Sequence, residues 1–408
     1  FKMRGKALYI NYQYGFNYFI PLKNYFRLIQ PRDMTRQKSL WKSSVSEIYN
    51  HDQFVQVKEE AFPIKCAYLC AMAGIYIHIP FCKKACTYCD FHFTTSLKYA
   101  EEMTDAICKE LILKKNRITE QVGSIYFGGG TPSVLPSPYL EKIFNTLTEH
   151  FSIASDAEIT METNPDDLDS KKIAELRQMP VNRFSIGTQS FFDEDLIWMN
   201  RAHSSREAEA SIKRSQDAGF ENLSIDLIYG YPLLTDLKWQ KNIQKAIDLQ
   251  VPHISGYSLT VEPKTALDSL IKKGKQLPLN DDQSAAQFQT LIQKLGIAGF
   301  EHYEISNYSQ PGRYAVHNTN YWRGVPYLGI GPSAHGFDGT NRQLNIANNA
   351  FYLEKLTNNQ LAETVEELTP LDRLNEYIMT SLRTMWGMDL NHIKHVHGKT
   401  FHEETLFN

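Results

Sequence analysis

Gly74-Ile75-Tyr76-Ile77-His78-Ile79-Pro80-Phe81 runs directly into Cys82-Lys83-Lys84-Ala85-Cys86-Thr87-Tyr88-Cys89. The first eight residues are rich in β-branched and aromatic side chains and predict a strand; the next eight place a cysteine loop at its carboxyl end. Outward from there the same beat repeats. SIYFGGG (124–130), AEITMET (157–163), NRFSIGTQS (182–190), NLSIDLIYG (222–230) and HISGYSLT (253–260) are further strands. Stretches with apolar residues at helical spacing follow near 97–116, 137–151, 169–178, 204–219, 235–249 and 282–298. Six strand–helix repeats predict an α/β fold of parallel strands with right-handed crossovers, spaced for a barrel or part-barrel. In such a barrel the chemistry belongs at the carboxyl ends of the strands, where every motif named below falls.

The chain has 408 residues, 43 basic and 46 acidic side chains and a 42% hydrophobic share, enough for a substantial core. No apolar run is long enough to span a membrane, and a net charge of −3 gives no general reason to expect nucleic acid as a partner. Charge is uneven: residues 1–71 carry a net of +6, the remainder −9, and the first segment holds 14 of the 49 aromatics. That segment lacks the amphipathic Ser/Arg pattern of a transit peptide and the compact apolar stretch of a secretory signal. Met72 directly precedes the first strand, so residues 1–71 are read as a leader from an over-extended gene start and assigned no function.

Six cysteines in a chain this long argue for reduced thiols with a specific task. Cys82, Cys86 and Cys89 form C-x3-C-x2-C, and three thiolates within eight residues can converge on one metal centre. They are one short of saturating a [4Fe–4S] cluster, leaving one iron open to another ligand. Zinc is the competing reading, with His78 or His92 as fourth ligand. Cys66 and Cys70 form a C-x3-C pair within the leader, and Cys108 falls on the core side of a helix.

The loop resembles the signature of the radical S-adenosylmethionine (SAM) superfamily. With the motifs that follow, residues 73–390 resemble the oxygen-independent coproporphyrinogen III oxidase-like family, within it the HemW heme-chaperone branch. The resemblance implies a partial (β/α)6 TIM-like barrel, a C-terminal α/β extension and a short helical domain. It also implies a [4Fe–4S] cluster on Cys82, Cys86 and Cys89, whose open iron chelates SAM and whose electron cleaves it to a 5′-deoxyadenosyl radical. The implied SAM contacts are Tyr76, Tyr88, Gly129, Gly130 and Thr131 of GGGTP, Glu162 of METNP, Gln189, Arg201 of MNRAHS and Asp226 of SIDLIYG. Two motifs depart from the family pattern: relatives usually carry Leu-Gly-Arg-x-His where this chain has MNRAH, and Gly-x-Pro-x-Gln-Thr where it has GYPLLT.

The oxidase carries a fourth cysteine, C-x3-C-x2-C-x-C, where this chain has Phe91. His317-Asn318-Thr319-Asn320-Tyr321-Trp322 resembles the chaperone branch's heme signature. There His317 is the implied axial ligand, Asn318 its orienting partner, and Tyr321 and Trp322 offer flat apolar faces to a porphyrin. Glu304 and His335, in two further family landmarks, are candidates for the same cavity. The expected organisation is a leader (1–71), a radical SAM core (72–300), an extension with the HNTNYW motif (301–365) and the opening of a helical domain (366–408).

Three functions follow as expectations. The first is a heme chaperone with cluster and SAM that delivers heme to an acceptor protein and draws on an external electron donor. The second is radical decarboxylation of two coproporphyrinogen III propionates to vinyl groups. The third is a zinc-stabilised binding module. Cysteine use and iron–sulfur chemistry point to a reducing cytoplasm.

Overall fold

The computed structural model describes residues 72–398 and, ahead of them, only Ala7–Leu8 and Ile20–Pro21, which pair as a short antiparallel ladder. The rest of the leader, with Cys66 and Cys70, lies outside the described residues, as do residues 399–408.

Six strands form the centre of one twelve-stranded sheet: β1 (Ala73–Ile79), β2 (Val122–Gly129), β3 (Ile153–Thr163), β4 (Arg183–Gln189), β5 (Asn222–Tyr229) and β6 (His253–Ser258). Each pairs parallel with the next in chain order. The connections carry helices α1 (Ala100–Lys114), α2 (Ser137–His150), α3 (Ser170–Arg177), α4 (Asp193–Trp198), α5 (Ser205–Asp217) and α6 (Asp236–Asp248). α7 (Ala266–Lys272) and α8 (Asp281–Ile297) follow β6. This is the part-barrel expected from the repeat of strand and helix.

The barrel is not closed; the extension adds strands to both of its edges. β7 (Glu301–Glu304) and β8 (Asn307–Ser309) join beside β6, with β8 antiparallel to it. The chain then crosses through α9 (Val316–Trp322) to the other edge. There β9 (Tyr327–Ile330) runs parallel to β1, and β10 (His335–Phe337), β11 (Asn341–Asn345) and β12 (Glu363–Glu367) continue antiparallel outward. α10 (Asn349–Thr357) lies between β11 and β12, and α11 (Pro370–Ser381) follows β12. No described helix is long and apolar enough to cross a membrane.

Alternation along the strands separates two interiors. Ile75, Ile77 and Ile79 of β1, Ile125 and Phe127 of β2, Phe184 and Ile186 of β4 share one apolar cluster with Ile107, Leu111, Leu140, Phe144, Leu176 and Ile243 of the helices. Each such side chain contributes about 1.5–3 kcal/mol on burial. The intervening residues are buried yet polar: Ser124, Glu158, Thr160, Arg183, Ser185, Ser224, His253 and Ser255. Local signals start the helices, with Asp169 capping α3, a Ser204–Glu207 capping box opening α5 and Thr235 capping α6.

Candidate functional site

At the carboxyl ends of β1–β5 a cleft enclosing about 890 Å³, counted to its open mouth, is lined by Cys82, Cys86 and Cys89 on one side. Tyr88, Gly129, Gly130, Thr131, Glu162, Gln189, Arg201 and Asp226 line the rest. Residues spread over 140 positions of sequence thus meet in one place because each sits at or just past a strand end.

The cysteine loop is held from two sides. Cys82 N–H donates to the Thr94 carbonyl at 3.0 Å and Thr94 N–H to the Pro80 carbonyl at 2.9 Å, closing the loop onto itself. Thr87 N–H donates to the Met199 carbonyl and Asn200 Nδ2 to the Ala85 carbonyl at 2.6 Å, tying it to the segment after α4. Asn200 has φ of 58°. The family pattern that the sequence resembles has glycine at this place, and asparagine is the other residue that readily takes this left-handed conformation. The departure from the family motif therefore keeps the backbone turn and adds a side-chain tether.

Donors that point at cysteine sulfurs include Thr131 Oγ1 at 3.5 Å from Cys82 and Arg201 Nη1 at 3.3 Å from Cys86. Burial pushes the Cys82 thiol up to about 11 and that of Cys89 higher still. Metal loading must therefore displace protons from both. Phe91, at the oxidase's fourth-cysteine position, lines the cleft instead. The two zinc candidates turn away: His78 Nε2 bonds the His92 carbonyl at 2.8 Å, and His92 Nε2 bonds Asn349 Oδ1 at 2.7 Å. Among the described residues no three or more His, Cys, Asp or Glu side chains are drawn together as a metal site, so neither imidazole completes the thiols.

Each glycine of the GGGTP turn has its own steric reason. A Cβ on Gly128 would sit 2.9 Å from the Tyr126 ring and 3.2 Å from the Glu162 carboxyl carbon. One on Gly129, where φ is +102°, would fall 2.6 Å from the His78 ring, and one on Gly130 2.5 Å from the Phe81 carbonyl. Gly130 N–H and Thr131 N–H then donate to the Ile79 and Phe81 carbonyls, stitching the turn to the strand that leads into the cysteines. Across the cleft, Gln189 is held at φ of 65°, a strained value for a non-glycine residue. Its Oε1 and the Nε of Arg201 are buried with no hydrogen-bond partner. Buried groups left in this state are costly, which marks the cleft as shaped for a polar ligand.

The carboxylates in the wall are poised. Burial raises Glu162 to about 8, against the bond that Tyr126 OH donates to its Oε1 at 2.7 Å. Burial raises Asp226 to about 6. A carboxyl whose folded value exceeds its unfolded one near 4.5 binds more protons when folded. Its contribution to stability therefore declines as pH rises from about 4.5 to about 8. We expect the unliganded protein's melting temperature to fall over that window, and Glu162→Gln to flatten the decline; an unchanged slope in the variant would contradict this role for Glu162.

Seven expected residues lie outside the cleft lining. Tyr76 is buried beneath the cleft, stacked on Tyr126 with centroids 6.2 Å apart, and is not part of the lining. His317 closes the opposite, amino-terminal end of the barrel. The N–H groups of Val316 and His317 donate to the Glu158 carboxylate at 3.0 and 3.1 Å, anchoring the start of α9. The His317 ring meets Ser124 Oγ through Nδ1 and Tyr321 OH through Nε2, both at 2.8 Å. Burial lowers it to about 3, so it is neutral. Asn318 Nδ2 reaches Glu304 Oε1 at 3.4 Å, away from the His317 ring. Tyr321 and Trp322 are half-buried. Glu304 is buried by this floor and His335 opens β10; neither lines the cleft.

Asn164 and Tyr126 were not singled out from sequence. Asn164 donates to Thr131 Oγ1 at 3.0 Å and accepts from Arg201 Nη2 at 2.5 Å, joining the GGGTP turn to the arginine. Its place in METNP, two residues beyond Glu162, was the available signal.

Residues 76–246 match the Radical SAM superfamily. The chain is 35% identical over 323 residues to Heme chaperone HemW of Synechocystis sp., covering 77% of this chain and 78% of that protein. It belongs to the HemW family. HemW of Bacillus subtilis is 32% identical, with 81% of this chain and 88% of that protein covered. The coproporphyrinogen III oxidase HemN of Escherichia coli, a radical SAM enzyme, superposes with a TM-score of 0.72 at 23% identity, covering 82% of this chain and 81% of that one; this establishes the shared fold. The Radical SAM family implies a [4Fe–4S] cluster and SAM.

Proposed function

We propose that this protein is a heme chaperone that binds a [4Fe–4S] cluster and SAM and hands heme to an acceptor protein. The observation that carries it is a HemW-family chain whose three cysteines share one cleft with unsatisfied polar groups. Cys82, Cys86 and Cys89 would hold the cluster, with Thr131 and Arg201 donating to sulfur and so offsetting thiolate charge. Glu162, Gln189, Arg201 and Asp226, with the glycine turn, would receive the polar ends of SAM, and Tyr88 would flank it. When bound, the pair supplies one-electron chemistry, for which an external donor is needed. The cleft's fixed dipoles hold their positions beforehand, so little reorganisation accompanies binding.

Heme is supported by the relatives' name and by the HNTNYW resemblance, not by the fit of His317. As folded, both of its ring nitrogens are engaged and no axial position is open. Tyr321 and Trp322 are the motif's half-buried faces, and heme contact there is part of the proposal. A cytoplasmic setting agrees with the free thiols and stays part of this reading.

The test is heme titration of anaerobically reconstituted protein, with His317→Ala and Trp322→Ala beside the wild type. Saturable binding weakened about tenfold or more in either variant supports the chaperone reading, corresponding to ~1.4 kcal/mol. Vinyl product from coproporphyrinogen with SAM and reductant would replace it with the oxidase reading.

A further inference from the structure

Tyr126 touches both ends of the barrel interior. Its ring stacks on His317 with centroids 5.3 Å apart and planes at 26°. Its hydroxyl donates to Glu162 Oε1 at 2.7 Å, and its side chain lines the cleft. We propose that Tyr126 is a positioning residue through which the α9 floor sets the Glu162 carboxylate, so that disturbing His317 changes the affinity of the cleft for SAM. The inference rests on the SAM half of the proposed function and is independent of heme.

The packing makes the ring a stiff connection. Tyr126 stacks on His317 at 26° and on Tyr76 at 18°. Gly128 supplies the room at its edge, since a Cβ there would lie 2.9 Å from the ring and 3.1 Å from Tyr76. His317 is itself fixed on three sides: Ser124 at Nδ1, Tyr321 at Nε2 and Gly74, where a Cβ would meet the ring at 3.2 Å. Close packing transmits displacement rather than absorbing it. A shift of His317 removes one wall of the Tyr126 slot, and the hydroxyl at the far end moves with the ring. Glu162 then loses the one side-chain hydroxyl that orients it towards the cleft. Coupling of this kind is reciprocal, so an occupied cleft would in turn hold the floor in place.

The experiment is a double-mutant cycle on the full chain with its cluster reconstituted, reading SAM affinity by equilibrium dialysis and iron and sulfide per chain in parallel. Ser124→Ala releases His317 Nδ1 with little change in volume, and Tyr126→Phe removes the hydroxyl while keeping the stacked ring. Tyr126→Phe is expected to weaken SAM binding about tenfold, the scale of one buried hydrogen bond. Ser124→Ala should weaken it severalfold, the double variant no more than Tyr126→Phe alone, with iron and sulfide equal in all four proteins. Unchanged affinity in Ser124→Ala, or losses that multiply in the double variant, would overturn the proposal. Should fully loaded wild type take up no SAM, the proposed function fails instead. The inference is then decided by the crystal structure of Ser124→Ala: a Tyr126 hydroxyl drawn away from Glu162 upholds it, and an unmoved one refutes it.

Discussion

Protein carrying Ala at positions 82, 86 and 89, prepared without oxygen, is expected to be colourless, to hold no acid-labile sulfide and to have lost SAM binding by at least about 100-fold, or ~3 kcal/mol. Wild type treated the same way should be brown. The effect is this large because on the proposed reading the three thiols alone hold the metal: the imidazoles that could replace one, His78 and His92, are occupied by a carbonyl and by Asn349. The fold should survive, since the three cysteines are only half-buried and lie outside the apolar cluster. Far-UV circular dichroism separates loss of metal from loss of structure. Wild type that is iron-free, or a triple variant that keeps its iron, would remove the basis of the cofactor assignment.

Gly130→Ala is the second large effect. Its Cβ would stand 2.5 Å from the Phe81 carbonyl, 2.8 Å from the Phe81 nitrogen and 2.9 Å from the Ile79 carbonyl. All three are backbone atoms, so no side chain can step aside. Relief requires the turn to part from β1, breaking the Gly130-to-Ile79 and Thr131-to-Phe81 hydrogen bonds. The clash and the lost bonds together should cost about 3 kcal/mol or more. Because Phe81 is followed by Cys82, the shift passes into the cysteine loop, and Thr131 leaves the Cys82 sulfur. We expect a melting temperature several degrees lower, and cluster and SAM lost together. Gly296→Ala, in the last turn of α8 with open space around it and an ordinary helical backbone, serves as the comparison. Wild-type SAM affinity in Gly130→Ala would show that the turn has no part in the site.

The six parallel strands and the cleft motifs were legible because both signals are local. A strand's alternation is carried by its own residues, and a strand end is marked by the glycine, asparagine or cysteine that follows. What lay beyond reach was long-range. Nothing in HYE at 302–304 or YLGI at 327–330 tells which edge of the sheet each joins, yet the two flank opposite sides of the barrel. The placement of His317 was hidden for a related reason. Strand alternation alone leaves Ser124, Glu158 and Arg183 free to face solvent, whereas they line a barrel interior in which Ser124 and Glu158 give α9 a polar seat and Arg183 lies 3.8 Å from Glu158. Tyr126 was overlooked because its role lies in two contacts, 36 and 191 residues away, with no motif of its own.

The outermost strand of the sheet, β12, reads Glu363-Thr364-Val365-Glu366-Glu367, and all but its first residue are exposed. A free sheet border invites a second molecule to add its own strand there. Were a copy of this chain to dock antiparallel across that border, centred on Glu366, the two half-exposed Glu366 side chains would stand directly opposite one another. Like charges brought opposite one another in this way repel. The acidic hem thus works as a fender against fibre-like stacking, protecting a broad sheet that its barrel leaves open.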